Sequence, residues 1–166
     1  VANELRAQVF AASARFHAMP HDEKMSIALD QNHRGFIPID TSTDVNSKLA
    51  TVTKPNQSES FMMMREDAAA DPKTYLSGPN NWPQTAGFRE ALTAYHAALS
   101  ALANKLISTA LQATDATPQA QQDALKAFET PTTWLRLLHY PPMQAQAPED
   151  LYGSAPHCDF GCLTIL

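Results

Sequence analysis

Apolar residues return at helical intervals in two long stretches of this chain and cluster into short strand-like runs in three others. Leu5, Val9, Ala12, Phe16 and Met19 fall 4, 3, 4 and 3 residues apart, which marks one face of a helix ending at Pro20. Residues Asp22 to Ala28 predict a second, short helix with acidic residues in its first turn. Arg34-Gly35-Phe36-Ile37-Pro38-Ile39 reads as a glycine turn running into an extended segment. Asp40 to Ser58 is rich in Thr, Ser, Asn and Lys and predicts an irregular surface loop. Glu59 to Met64 predicts a buried strand. Ala68 to Pro83 is turn-rich, punctuated by Asp71-Pro72, Gly78-Pro79 and Trp82-Pro83.

The longest predicted element is a scaffold helix from Thr85 to Ala113, with Phe88, Leu92, Tyr95, Leu99, Leu102, Leu106 and Ala110 along one face. Thr117 and Pro118 have the chemistry of an N-cap and first helical residue for a helix through Phe128. Trp134 to Tyr140 predicts a strand closed by Pro141-Pro142, and Ala155 to Leu166 a terminal strand or strand pair. No internal repeat is visible. Helices come first and core strands last, an order that suggests an α+β fold.

Composition narrows the field. The 166 residues are one domain's worth, and 44% apolar with 17% charged residues fits a globular chain with a real core. The net charge of -5 without a basic stripe argues against nucleic acid or anionic membrane as partners. No run approaches the roughly 18 to 20 apolar residues of a membrane span, and no signal-peptide pattern opens the chain. A cytoplasmic location is the default expectation. Val1 in place of Met, and an apolar run that stops at Leu166 without a polar tail, predict that residues are missing at both ends. Cys158 and Cys162 would lie about 13 Å apart in a strand, too far for a disulfide, and are expected to be buried free thiols.

The candidate chemistry lies in the last ten residues. In an extended segment His157 and Asp159 point to one face, so an imidazole and a carboxylate can reach one metal ion together. Gly161 offers a bend beside them, and Leu163 to Leu166 would anchor the segment in a core. A hydrogen-bonded His-Asp pair on a solvated strand end is the competing reading.

His157-Cys158-Asp159-Phe160-Gly161-Cys162-Leu163-Thr164-Ile165-Leu166 resembles the His-x-Asp block of the isopenicillin N synthase-like family of Fe(II)- and 2-oxoglutarate-dependent dioxygenases. Other blocks match in order. Phe16 to Pro20 with Glu23-Lys24-Met25 resembles the family's "Phe…Leu-Pro…Glu-Lys" segment, and Arg34-Gly35-Phe36-Ile37-Pro38 its "Arg-Gly-Tyr-x-Pro" turn. Glu59-Ser60-Phe61 resembles its "Glu-Ser-Phe" strand, and Gly78 to Pro83 with Gly87-Phe88-Arg89 its "Gly-Pro-Asn-x-Trp-Pro…Phe-Arg" stretch. Leu135 to Pro142 resembles its "Leu-Arg-x-x-x-Tyr-Pro-Pro" strand.

The resemblance implies a double-stranded β-helix, or jelly-roll, oxygenase core with N-terminal and flanking helices, only partly contained here. Residues 1–166 would be one partial domain: 1–130 a mainly helical N-terminal region and 131–166 the first core strands. It implies Fe(II) as metal, 2-oxoglutarate as cosubstrate and O2 as oxidant, acting on a small organic substrate by hydroxylation, desaturation or cyclisation. His157 and Asp159 match the first two iron ligands. The third, a downstream His, and the Arg-x-Ser pair that grips 2-oxoglutarate match no residue present. His17, His21, His33, His96 and His139 all lie upstream.

Tyr140 matches a strand tyrosine near the cosubstrate carboxylate, although a packing aromatic would also stand there. Arg136 is a lesser cosubstrate candidate or a structural charge, and Leu138 departs from the Asn usual in plant members. Arg34 and Phe61 stand in blocks that border the substrate pocket in relatives, and Phe160 would pack beside the metal. Two other readings are an inactive or partner-dependent fragment of an oxygenase-like fold, and a cupin-like metal-binding module. With two of three ligands, the isolated 166 residues are expected to show little or no turnover.

Overall fold

The computed structural model describes residues 1–44, 47–66, 71, 74–143 and 145–166. Its elements run α1 (Asn3–His17), α2 (His21–Met25), β1 (Gly35–Ile37), β2 (Glu59–Met64), α3 (Phe88–Gln112), α4 (Pro118–Ala127) and β3 (Trp134–His139). The class is mixed helix and strand. No helix among the described residues is long and apolar enough to cross a membrane.

Local chemistry accounts for most boundaries. In α1 the expected stripe faces inward, with Val9, Ala12 and Phe16 buried, and His17 joins them. The helix α2 stops at Met25 and not at Ala28, because the chain turns there to meet β1. Phe36 N–H donates to the Ile27 carbonyl at 2.8 Å, and Leu29 N–H donates to the Phe36 carbonyl at 2.8 Å. The longer α3 starts at Phe88, since Gly87 holds φ 73, a left-handed conformation that no continuing helix contains. Thr117 caps α4 by accepting from Ala120 N–H, with Pro118 at the first helical position as the sequence predicts.

The three strands form one antiparallel sheet in the order β1-β2-β3. The central strand sorts its residues strictly between two faces. Glu59, Phe61 and Met63 stand opposite His139, Leu137 and Leu135, while Ser60, Met62 and Met64 stand opposite Leu138, Arg136 and Trp134. The first face packs against α1 and α3 in a core of Val9, Ala12, Phe16, Phe36, Phe61, Met63, Phe88, Leu92 and Leu137. Its centre is aromatic. Phe16, Phe61 and Phe88 stand with ring centroids 5.0 to 5.4 Å apart, near the separations that edge and tilted contacts favour.

A buried ionic group closes one end of this core. Glu59 accepts from Lys24 Nζ at 2.7 Å and pairs with His139 Nδ1 at 2.9 Å, and Lys24 also donates to the His17 carbonyl at 3.1 Å. Burial alone would raise the Glu59 carboxyl, but the bonds from Lys24 and His139 outweigh it and hold it below its usual range. The His17 imidazole is held below its ordinary value mainly by burial, against the opposing pull of the Ser13 carbonyl and Glu59.

Four expectations need correction. Ala155 to Leu166 contains no strand: the sheet has three strands among the described residues, and this segment pairs with none of them. An apolar run becomes a strand only when a neighbouring backbone accepts its ladder. Leu163 and Leu166 are correspondingly exposed and anchor nothing, and both cysteines are exposed rather than buried. The sheet itself spans residue 130, since β2 upstream pairs with β3 downstream. Finally, the α3 stripe is buried only at Phe88 and Leu92, whereas Leu102 and Leu106 reach solvent. Of the turn-rich stretch, residues 67–70, 72 and 73 lie outside the described set, as do 45 and 46 of the long loop and 144.

Two outcomes follow from this packing. A Cβ at Gly35, whose φ is 120, would stand 2.3 Å from the Ile27 carbonyl oxygen. Gly35→Ala is therefore expected to lower unfolding free energy by about 2–4 kcal/mol in urea titrations, through strain and backbone overlap together. His17 and Glu59 both bind protons more weakly folded than unfolded, so stability falls on acidification. The loss starts below pH 6.5 as His17 charges in the unfolded chain, and a further loss starts below pH 4.5 from Glu59. His17→Leu should shrink the first phase of a stability-versus-pH curve, leaving the share that His96, also held low by burial, contributes, and leave the second unchanged.

Candidate metal centre

The segment that carries His157 and Asp159 is held by the long polar loop, not by the sheet. Gln57 N–H donates to the Tyr152 carbonyl at 2.8 Å, and Ala155 N–H donates to Asn56 Oδ1 at 2.8 Å. Ser47 Oγ donates to the Pro156 carbonyl, and Lys54 pairs with Asp150. Gly153 lies under the Tyr140 ring, where a Cβ would come within 2.9 Å of Tyr140 Cδ1. Ala155 is buried, and the chain emerges to solvent immediately after it.

Within this frame the two expected donors face each other. His157 Nε2 stands 3.2 Å from Asp159 Oδ1. The other ring nitrogen, Nδ1, is 2.7 Å from the Ala155 carbonyl oxygen, with Asp44 Oδ2 behind it at 3.9 Å. A carbonyl can only accept, so Nδ1 carries the proton of that hydrogen bond. In the neutral ring Nε2 then holds a lone pair, aimed at a carboxylate oxygen. Two acceptors at 3.2 Å repel unless a cation sits with them, either a proton on Nε2 or a metal ion. The His157 imidazole is held above its ordinary value, first by the Ala155 carbonyl and then, against burial, by Asp44 and Asp159.

The donor set fits a metal as well as a proton. Two donors at right angles, each about 2.1 Å from an ion, stand about 3.0 Å apart. A ligating histidine commonly donates its second N–H to a carbonyl or carboxylate, which is the environment of Nδ1 here. Asp159 is steadied from its far side by Thr164 Oγ1, which donates to Oδ2 at 2.7 Å. Among the described residues no third His, Cys, Asp or Glu joins the pair in a metal-binding cluster.

The other expected site residues fall in different places. Arg136 lies on the sheet face opposite the aromatic core, with Nε donating to Ser60 Oγ at 2.9 Å. Burial lowers its guanidinium's proton affinity, with Tyr140 and Asp44 pulling the other way. Tyr140 follows at the end of β3, half exposed. Arg34 and Phe61 both lie in the interior. Arg34 is 1% exposed and spends its guanidinium on the Asn32 and Arg65 carbonyls, while Phe61 stands at the centre of the core. Phe160, next to Asp159 in the chain, is 87% exposed. Asp44 and Asn56 escaped the sequence reading. Nothing in a polar loop without periodicity distinguishes them, because their contacts reach across 99 residues of chain.

Comparison with known proteins gives this geometry a family context. Residues 1–85 match the family model described as non-haem dioxygenase in morphine synthesis N-terminal. The 2-oxoglutarate-Fe(II) type oxidoreductase hxnY of Emericella nidulans is 32% identical over 100% of this chain and 48% of its own length. The 2-oxoglutarate-dependent dioxygenase tropC of Talaromyces stipitatus is 29% identical over 98% of this chain and 51% of its own. The chain thus spans about half the length of the curated relatives it matches. Two solved structures share the fold at 22% identity. A 2OG-Fe(II) oxygenase family protein from Caulobacter crescentus superposes with a TM-score of 0.67 over 89% of this chain and 46% of that one. A full-length Neurospora crassa protein crystallised in complex with alpha-KG superposes at 0.59, over 88% and 43%.

Proposed function

Because the chain belongs to the non-haem dioxygenase N-terminal family, we propose that it supplies the His-x-Asp arm of an Fe(II)- and 2-oxoglutarate-dependent oxygenase. One observation carries this reading: His157 Nε2, with its proton assigned to the other nitrogen, faces Asp159 Oδ1 at 3.2 Å. The relatives' names, 2-oxoglutarate-dependent dioxygenase and 2-oxoglutarate-Fe(II) type oxidoreductase, supply the chemistry that such a pair would serve.

When bound, iron and 2-oxoglutarate supply the oxidising chemistry, coupling reduction of O2 and loss of CO2 from the cosubstrate to oxidation of a small organic molecule. The residues of this chain bind and orient. His157 would hold the metal through Nε2 and Asp159 through Oδ1, while Thr164 donates to the carboxylate's other oxygen. Arg136 and the Tyr140 hydroxyl are the groups that would meet an anionic cosubstrate, a charge and a donor on the same side of the sheet as Asp44. Phe160, exposed next to Asp159, is the remaining pocket candidate, since Arg34 and Phe61 are consumed by the interior. Whether the substrate is hydroxylated, desaturated or cyclised depends on residues that shape its pose.

The sheet β1-β2-β3 would form part of the jelly-roll core, with β3 as an edge that still has ladder groups to share. Residues 1–166 would then belong to one domain. Two exposed free thiols, Cys158 and Cys162, favour a reducing compartment such as the cytoplasm. Two ligands among the described residues favour little turnover by these 166 residues alone, with the third histidine supplied by the full-length protein.

An anaerobic Fe(II) titration with 2-oxoglutarate, on full-length protein of verified mass, tests the reading through the weak visible charge-transfer band. The band should appear, and His157→Ala or Asp159→Ala should weaken Fe(II) binding by more than roughly 100-fold, beyond the loss typical of an outer partner. A band of undiminished strength in both variants would sink the assignment.

A further inference from the structure

Asn56 occupies a position that no ligand role requires, yet it touches both groups that face His157 Nδ1. Its amide is 5% exposed and fully oriented by its neighbours. Ala155 N–H is a donor, so it meets Oδ1, at 2.8 Å; the Asp44 carboxylate is an acceptor, so it meets Nδ2, at 2.9 Å. The backbone of Asn56 is pinned as well, its N–H donating to the Ser42 carbonyl at 2.7 Å and its carbonyl accepting from Asp40 N–H at 3.4 Å. The same Ala155 residue then receives His157 Nδ1–H at its carbonyl, 2.7 Å away, while Asp44 Oδ2 stands 3.9 Å from that nitrogen.

We propose that Asn56 is a positioning residue for the metal centre: by holding Ala155 and Asp44 together it fixes the Nδ1–H tautomer of His157 and leaves Nε2 free to ligate. The inference rests on the metal-binding reading of His157 and Asp159, but it makes a separate claim about the imidazole that holds with no metal present. Donors and acceptors alternate along the chain of contacts. Asn56 Oδ1 accepts from Ala155 N–H, the Ala155 carbonyl accepts from His157 Nδ1–H, and Asn56 Nδ2 donates to the carboxylate that flanks the same nitrogen. An imidazole free in water exchanges its proton between its two nitrogens. Here Nδ1 faces a fixed backbone carbonyl at 2.7 Å, whereas the acceptor at Nε2 is the exposed Asp159 side chain at 3.2 Å, so the neutral ring keeps its proton on Nδ1 and can ligate through Nε2. Aspartate at position 56 would keep the bond to Ala155 N–H but set a second carboxylate against Asp44. Asparagine at position 44 would supply the donor that such an aspartate needs.

Long-range proton–nitrogen NMR on metal-free full-length protein reads the His157 tautomer directly, and Mn(II) binding counted by the free ion's EPR signal reads its consequence. At a pH high enough for the ring to be neutral, parent protein should show Nδ1 protonated and Nε2 unprotonated. Asn56→Ala and Asn56→Asp should mix the tautomers and weaken Mn(II) by about 10- to 100-fold, the range of a lost outer partner. The double variant N56D/D44N should restore both readouts to within about threefold of parent, a recovery that general loss of stability would not produce. If Asn56→Ala does not fold, the Asn56→Asp and N56D/D44N pair carries the same decision. Unchanged tautomer and Mn(II) affinity in folded Asn56→Ala or Asn56→Asp overturns the inference, as does a double variant no better than Asn56→Asp. A parent that binds no Mn(II), yet loses its tautomer in Asn56→Asp and regains it in N56D/D44N, overturns the metal reading while supporting the role of Asn56.

Discussion

The register of β2 is the constraint on which the rest of this molecule depends. It is the one strand flanked on both sides in the three-stranded sheet, and its alternation assigns every neighbour to a face. Phe61 enters the ring cluster with Phe16 and Phe88, while Ser60 turns away to receive Arg136. A slip of one residue would exchange these roles, placing Ser60 and Met62 among the aromatic rings and Phe61 against a guanidinium. The residues just before β2 inherit the same constraint. Asn56 and Gln57, which grip Ala155 and Tyr152, lead directly into Glu59, so the strand that fixes the core also sets where the candidate centre is held.

Glu59 adds direction to that register. A carboxylate with 13% of its side chain exposed between Lys24 and His139 ties α2 and β3 to the first residue of β2. Such buried pairs are weak sources of net stability, since desolvation consumes most of the attraction, but breaking one leaves a charge stranded at a cost of about 3–5 kcal/mol. Their value is discrimination: only one register brings Lys24 and His139 to the same carboxylate. His17, stacked 5.1 Å from the His139 ring and carrying a buried Nε2 without a partner, makes this corner the part of the core most sensitive to protons.

Elements whose stability is local were legible in the sequence. The β2 boundaries, Glu59 to Met64, coincide with expectation because six residues of that composition are bounded by polar loop on one side and turns on the other. The Thr117-Pro118 start of α4 and the Val9-Ala12-Phe16 stripe of α1 follow from capping chemistry and period alone. What failed was long-range. The terminal apolar run reads as a strand, but no periodicity states whether another backbone will lie beside it, and here none among the described residues does. Arg34 is singled out only by resemblance, in a block that borders the pocket in relatives; what buries it are backbone carbonyls of Asn32 and of Arg65, the second 31 residues away. Asp44 and Asn56 sit in a stretch whose composition says only "loop", and their importance exists solely through partners more than 100 and nearly 100 residues away, respectively.

The candidate centre therefore divides into a part that local sequence can build and a part that it cannot. His157 and Asp159 are two residues apart, so their mutual distance is a property of a few backbone angles and survives without any strand. The ring's protonation pattern is different in kind, because it requires an acceptor at Nδ1, the Ala155 carbonyl, whose place is set by a bond from the distant loop. A metal site needs both, since a histidine of the wrong tautomer presents a proton where the ion should bind. The polar loop is thus more than a connection between strands. It converts a proximity that many His-x-Asp sequences share into an oriented pair of donors, a property that spacing alone does not encode.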